Sequence, residues 1–263
     1  MARFVIGDSS VCMINCHLAA GQNAVRRRNA DIAAILEEKA VFPPADYPLA
    51  YGGGGDGTMI LDHEFVFVRL ISYAFPKFFF LFFLFFCLFF FFFFFEFVNC
   101  AGQVNGDLNY RIDHRREAIL SSIRTGEFVN LLAHDQLLRE IKFNRGCRFR
   151  GFSEGPITFM PTYKYDPRSN EYDSSEKRRL PAWCDRVLWR ARDGSRVQQQ
   201  HYRRYEANVS DHRPVSASFR VTIKTIVPDR RGQALKKVQL LWAEERARRL
   251  AEAREFYRMY ACL

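Results

Sequence analysis

At 263 residues the chain is long enough for one large domain or two small ones around a substantial core. Lys and Arg number 39 against 29 Asp and Glu, a formal charge of +10. That charge favours polyanionic partners: nucleic acid, an anionic membrane face, or a multiply phosphorylated small molecule. Seven scattered cysteines with no CxxC pair indicate neither a zinc site nor a disulfide framework. The opening MARFVIGDSS lacks a basic stretch followed by an apolar one, so a reducing, cytoplasmic setting is expected, and Asn208-Val209-Ser210 is read as a chance sequon.

In chain order, residues 10–16 (SVCMINC) alternate loosely and predict a short strand ending at His17. Residues 24–39 carry Val25, Ile32, Ile35 and Leu36 at helical spacing between charges, which predicts an amphipathic helix. Residues 41–57 hold three prolines and a glycine run and read as loop. Gly52, Gly54 and Gly57 match GxGxxG, but no strand precedes them and no helix follows, so a nucleotide site is not indicated. Residues 78–95 are wholly apolar, nearly all Phe and Leu. A bilayer span needs about 20 such residues. Against a span, Phe is a poor helix former, and only Lys77 and Glu96 flank the tract closely, so nothing sets an orientation.

Downstream, residues 115–124 and 128–143 predict helices, the second with Leu131, Leu132, Leu137, Leu138 and Ile141 as core candidates. Strands are expected at 157–163, 186–189 and 215–223, the last alternating Val215, Ala217, Phe219, Val221 and Ile223 with polar residues. Residues 233–260 predict a charged helical tail with Leu235, Val238, Leu241 and Trp242 on one side. Strands and helices intermix, which gives an α/β class.

Four polar clusters fall at strand-to-loop junctions, where sites are usually built. They are NCHLAAG at 15–21, GDLNYR at 106–111, the stretch from Pro161 to Trp189 containing PTYKYD and KRRLPAWCDRVLW, and SDHRP at 210–214. Singly each is weak: a histidine after a strand is more often structural, Gly-Asp-x-Asn makes an ordinary turn, and Ser-Asp-His can be a loop or a cap. Together they supply carboxylates, an amide, two imidazoles and a group of cations. Metal-assisted hydrolysis of a phosphate ester requires those parts: a carboxylate for the water, and fixed positive donors for the growing phosphoryl charge.

GDLNYRI, PTYKYD, RRLPAWCDRVLW and SDHRPV resemble the signature segments of the inositol-polyphosphate 5-phosphatases, which share a superfamily with DNase-I-like nucleases. NCHLAAG followed by RRRNADIAAI is similar to that family's upstream segment, and the resemblance covers about 11–221 apart from the Phe tract. The resemblance implies a four-layer sandwich, two packed β-sheets with helices outside, and a Mg2+-dependent hydrolase acting on an inositol phosphate or phosphoinositide headgroup at an anionic membrane surface. Asp107 would orient or deprotonate water, and Asn109 would hold the phosphate or that water. Asp185 would pair with His212 and favour its protonated form. His17 would contact the scissile phosphate, and Asp211 would lie near the metal. Tyr163, Lys164, Lys177 and Arg179 would grip a second ring phosphate, at carbon 4, while Trp183 and Trp189 read as packing residues.

Two departures from the family pattern stand out. The Gln-Glu segment that supplies the principal metal ligand has no counterpart, so the first sheet and the metal site are expected to be incomplete at the N-terminal side. The Phe tract interrupts the strand that begins near LDHEFVFV and resumes just before Gly106; residues 69–103 are therefore read as translated intron, with Ala101-Gly102-Gln103 where an acceptor AG could lie. The expected division is a catalytic domain at 1–227 and the tail at 228–263. Two alternatives stay open: a non-catalytic phosphoinositide-binding fragment, and a nuclease of the same superfamily. The nuclease leaves the TYKYD and KRRLPAWCDR segments unexplained, so no nucleic-acid partner is expected.

Overall fold

The computed structural model describes residues 1–38, 59–69, 107–208, 210–225 and 227–260. The loop with its GxGxxG and the Phe tract lie outside these residues, apart from the edge residue Arg69 of the segment read as intron. Two compact units are present, Met1–Ile223 and Lys224–Leu263.

In the larger unit, β1 (Ala2–Ile6) and β2 (Ser9–Asn15) form a tight antiparallel hairpin. From β2 the chain enters α1 (Val25–Glu37), then β3 (Phe65–Arg69), which lies parallel to β2 with Val11 opposite Phe65. Parallel neighbours need such a crossover, and its helix must cover one face of the sheet. Two antiparallel strands, β4 (Ser153–Glu154) and β5 (Leu188–Ala191), complete a five-stranded sheet in the order β1-β2-β3-β5-β4. A second sheet is the hairpin of β6 (Val197–Arg204) and β7 (Val215–Val221).

Alternation along the central strands explains how the layers stack. Successive side chains in a strand point to opposite faces. Cys12, Ile14, Val66 and Val68 join Ile32 and Leu36 of α1 in one apolar cluster. The intervening Val11, Phe65 and Phe67 join Val197, Tyr202, Val215 and Phe219 of the hairpin in another. Phe67 and Phe219 meet with ring centroids 5.1 Å apart, so the two sheets pack face to face. Trp183 is fully buried in this second cluster and donates its indole N–H to the Phe159 carbonyl at 2.9 Å. Burying a large apolar side chain contributes about 1.5–3 kcal/mol, so these two clusters supply much of the drive to fold. The architecture is the expected α/β sandwich of two sheets with helices.

The elements differ from the sequence reading in instructive ways. The expected strand at 157–163 does not form; Tyr163 alone makes bridges, to Ala182 and His212. Pro156 precedes that stretch and Pro161 lies within it, and neither has the N–H that a ladder needs. The expected helix at 128–143 is split into a 3-10 segment (Phe128–His134) and α3 (Gln136–Phe143), while α2 (Arg116–Arg124) forms as expected. At the break, Asp135 caps α3 by accepting the Leu138 N–H at 2.9 Å. Leu131 and Leu137 are buried, whereas Leu132, Leu138 and Ile141 are only partly so. The strand expected at 186–189 begins at Leu188, because Arg186 is occupied elsewhere. Its guanidinium bonds both oxygens of Asp135 at 3.0 Å and both of Glu154 at 2.6 and 2.7 Å. Strand β7 stops at Val221, leaving Ile223 exposed.

The second unit holds α4 (Pro228–Tyr260), longer than the expected tail helix. Its exposed Leu235, Val238, Leu241 and Trp242 share the N-terminal half, and Glu245 pairs with Arg248 and Arg249 beyond them.

Candidate active site

Five separate segments line up side by side beyond the end of β2. His17 bridges Asp107 in parallel, with the Leu18 N–H donating to the Asp107 carbonyl at 2.9 Å. Leu108 N–H donates to Cys184, Ala182 and Tyr163 exchange bonds, and the Arg213 N–H donates to Thr162. This irregular ladder places Asp107, Asp185, Tyr163 and His212 on neighbouring segments although they are widely spaced in the chain.

The centre is an acid–imidazole couple. His212 Nδ1 lies 3.0 Å from Asp185 Oδ2, which also accepts the Thr162 hydroxyl at 2.6 Å. His212 Nε2 points the other way, 3.9 Å from Asp107 Oδ2. That gap is too long for a hydrogen bond, so both groups keep capacity for a third party between or beside them. Burial alone would depress the imidazole, but Asp185, then Asp107 and Asp211, outweigh it and carry His212 up to about 9. At neutral pH it is an imidazolium. Burial and the neighbouring Asp185 push Asp107 above the ordinary carboxylate value, with His212 and Arg111 opposing.

Asn109 is fixed on every side. Its backbone sits at φ 57°, in the left-handed region that asparagine tolerates better than most residues. Its N–H donates to Asp107 Oδ1 at 2.7 Å and its Nδ2 to the Leu18 carbonyl at 3.0 Å. The Arg111 guanidinium donates to its side-chain oxygen and stacks 4.3 Å over the Tyr163 ring. Beneath, the buried Arg28 of α1 donates to the carbonyls of Ala19 and Gly21 and to Gln136, which in turn accepts the Arg111 N–H. The 17–21 loop and the 107–111 loop are thereby tied to one scaffold.

Of the residues singled out from the sequence, Asp107, Asn109, Asp185, His212 and Tyr163 converge through these contacts. His17 joins by its backbone and leaves its side chain exposed. Lys164 and Asp211 form an ion pair at 3.3 Å. Lys177 and Arg179 are exposed on the adjoining loop. As for a metal, no three His, Cys, Asp or Glu side chains converge on a cation site among the described residues. Asp211 is engaged by Lys164, so these residues do not by themselves complete such a site. Sequence reasoning missed Arg111, Thr162 and Arg28. All three lie inside quoted motifs, but nothing in one sequence separates them from their neighbours.

The sequence profile described as Endonuclease/Exonuclease/phosphatase family 2 matches residues 1–69 and 101–218. The chain belongs to that family. The match takes in residues 1–10, upstream of the stretch that carries the resemblance, and omits 70–100. Within the family, a probable inositol polyphosphate 5-phosphatase of Schizosaccharomyces pombe is 39% identical over 93% of this chain and 18% of its own length. Synaptojanin of Caenorhabditis elegans is 35% identical over 83% of this chain and 15% of its own. The chain thus spans under a fifth of these curated relatives. Among solved structures, the inositol polyphosphate 5-phosphatase domain of SpSynaptojanin, in complex with inositol (1,4)-bisphosphate and calcium, matches with TM-score 0.62 and 27% identity, over 92% of this chain and 56% of that one. Those relatives and that solved domain are named as inositol polyphosphate 5-phosphatases or synaptojanins, and the two-sheet scaffold described above is shared with the solved domain.

Proposed function

We propose that this chain carries the hydrolytic centre of a phosphomonoesterase that removes the 5-phosphate from an inositol phosphate or a phosphoinositide headgroup. The observation that carries the reading is the Asp185–His212 couple aimed at Asp107. In this reading, Asp107 accepts a proton from the water that attacks phosphorus while the bond from phosphorus to the ring oxygen breaks and that oxygen takes up a proton from solvent; the raised affinity of Asp107 for protons suits a base. The imidazolium of His212, held by Asp185, faces the phosphoryl oxygens and offsets the charge that grows on them. Asn109, immobilised by three partners, fixes the phosphate or the water. Lys164, Lys177, Arg179 and the Tyr163 hydroxyl would hold a second ring phosphate, and the net charge suits an anionic membrane face in the cytoplasm.

Magnesium is proposed as the cofactor from the family resemblance. Because the described residues do not complete a cation site, no step is assigned to it. The test is phosphate release from inositol 1,4,5-trisphosphate and from phosphatidylinositol 4,5-bisphosphate vesicles by the full chain, with and without chelator, beside nicking of duplex DNA. Magnesium-dependent phosphate release without nicking supports the reading. Nicking without phosphate release replaces it with the nuclease, and binding of the headgroup without turnover replaces it with the non-catalytic fragment.

A further inference from the structure

Both cationic segments of the site are held by one buried aspartate, the turn through its carboxylate and the Lys164 segment through its backbone N–H. Asp173 is almost wholly buried. Its Oδ1 accepts the Ser175 N–H at 3.2 Å and its Oδ2 the Arg179 N–H at 2.7 Å. Its own N–H donates to the Lys164 carbonyl at 2.9 Å, and its carbonyl accepts Arg116 of α2 at 2.7 Å. A second carboxylate, Asp166, takes the Ser174 N–H at 3.1 and 3.2 Å. Between these anchors the chain makes a turn, Arg178 N–H to Ser175 carbonyl, with Arg178 at φ 38°. Lys177 and Arg179 stand exposed on that turn.

Long cations on an unanchored loop would lose much of their binding strength to the entropy of ordering the loop. Here the ordering is done in advance. We propose that Asp173 is a positioning residue that sets selectivity for a substrate with a second ring phosphate, by locking the backbone of the 174–179 turn against the Lys164 segment. This rests on the reading above, in which Tyr163, Lys164, Lys177 and Arg179 hold that phosphate. Asp173→Asn is the discriminating change. An amide keeps one acceptor oxygen and turns a donor toward one of the two N–H groups, so one anchor opens while the volume is unchanged.

The probes are inositol 1,4-bisphosphate and inositol 1-phosphate, titrated calorimetrically into the full chain, with amide exchange read at Ser175 and Arg179. The expected result is a wild-type preference for the bisphosphate that falls about tenfold in Asp173→Asn, together with faster exchange at those two amides and an unaltered His212 titration. Should Asp173→Asn not fold, Arg116→Gln, which removes only the bond to the Asp173 carbonyl, is expected to lower the preference in the same direction. A preference retained in full by a folded variant overturns the positioning role while leaving the proposed function standing. A wild type that does not distinguish the two probes overturns the assignment of the cations, and this inference with it.

Discussion

Replacing Asp185 with Asn tests the acid–imidazole couple most directly. The His212 ring is carried from an ordinary value of 6.5 up to about 9, with Asp185 the largest of the influences that raise it against burial. A difference of about 2.5 units corresponds to about 3 kcal/mol between the two protonation states. Asparagine is nearly isosteric and still accepts from Nδ1, so the ring keeps its place while the favourable charge is gone. With the burial cost unopposed by its main partner, the ring is expected to titrate at or below about 6.5. At pH 7.5 the imidazolium fraction then drops from nearly all to about a tenth or less, and turnover falls at least about tenfold. The alkaline limb of the rate profile moves from near 9 to below 7. The same linkage acts on stability. A pKa raised in the folded state contributes stability that is fully present below 6.5 and is lost as pH rises through about 9. Urea unfolding of the wild type between those values should therefore show a loss that Asp185→Asn lacks. The assay is imidazole C2–H titration by NMR beside a pH–rate profile. An unmoved titration in the variant would refute the assigned role of Asp185.

Asp107→Ala should cost about 10²–10⁴ in kcat, and retained turnover would remove that carboxylate from the mechanism. Because Asp107 is raised, the acid limb of kcat/KM should lie above 3.8, and an inflection at or below that value would contradict the burial described. Arg186→Ala leaves Asp135 and Glu154 buried without their cation, so a denaturant melt should show about 3–5 kcal/mol of destabilisation; a change under about 1 kcal/mol would show the pair to be dispensable. Chelation should abolish phosphate release and added magnesium should restore it, whereas turnover that persists in chelator would remove the cofactor from the proposal.

The site was more legible than the fold. Asp107, Asn109, Asp185 and His212 lie in short runs of unusual composition, and the structure brings these four together. Strand β1 and strand β6 were not legible. Strand β6 reads VQQQHYRR, and only Val197 and Tyr202 along it are buried, so no apolar alternation announces it. It exists because β7 pairs with it and because those two side chains reach the cluster around Phe67. The false strand at 157–163 has the opposite origin: its apolar side chains are needed by the core, but its prolines deny it a ladder.

The bond network behind the chemistry was invisible for a related reason. Arg186 meets Asp135 and Glu154 at separations of 51 and 32 residues, and Gln136 reaches Arg28 across 108. Sequence alone determined which polar runs are candidates for the site, the alternation of β2 and β7, and the helices whose apolar spacing is local. Only the tertiary structure decided that Asp107 lies opposite His212 Nε2, that Asp211 pairs with Lys164, and that one buried aspartate anchors the cationic turn. Residue type and periodicity are local quantities that a linear chain displays directly. Which charge lies within hydrogen-bond reach of which other is fixed by packing two sheets together, and no stretch of sequence contains that packing.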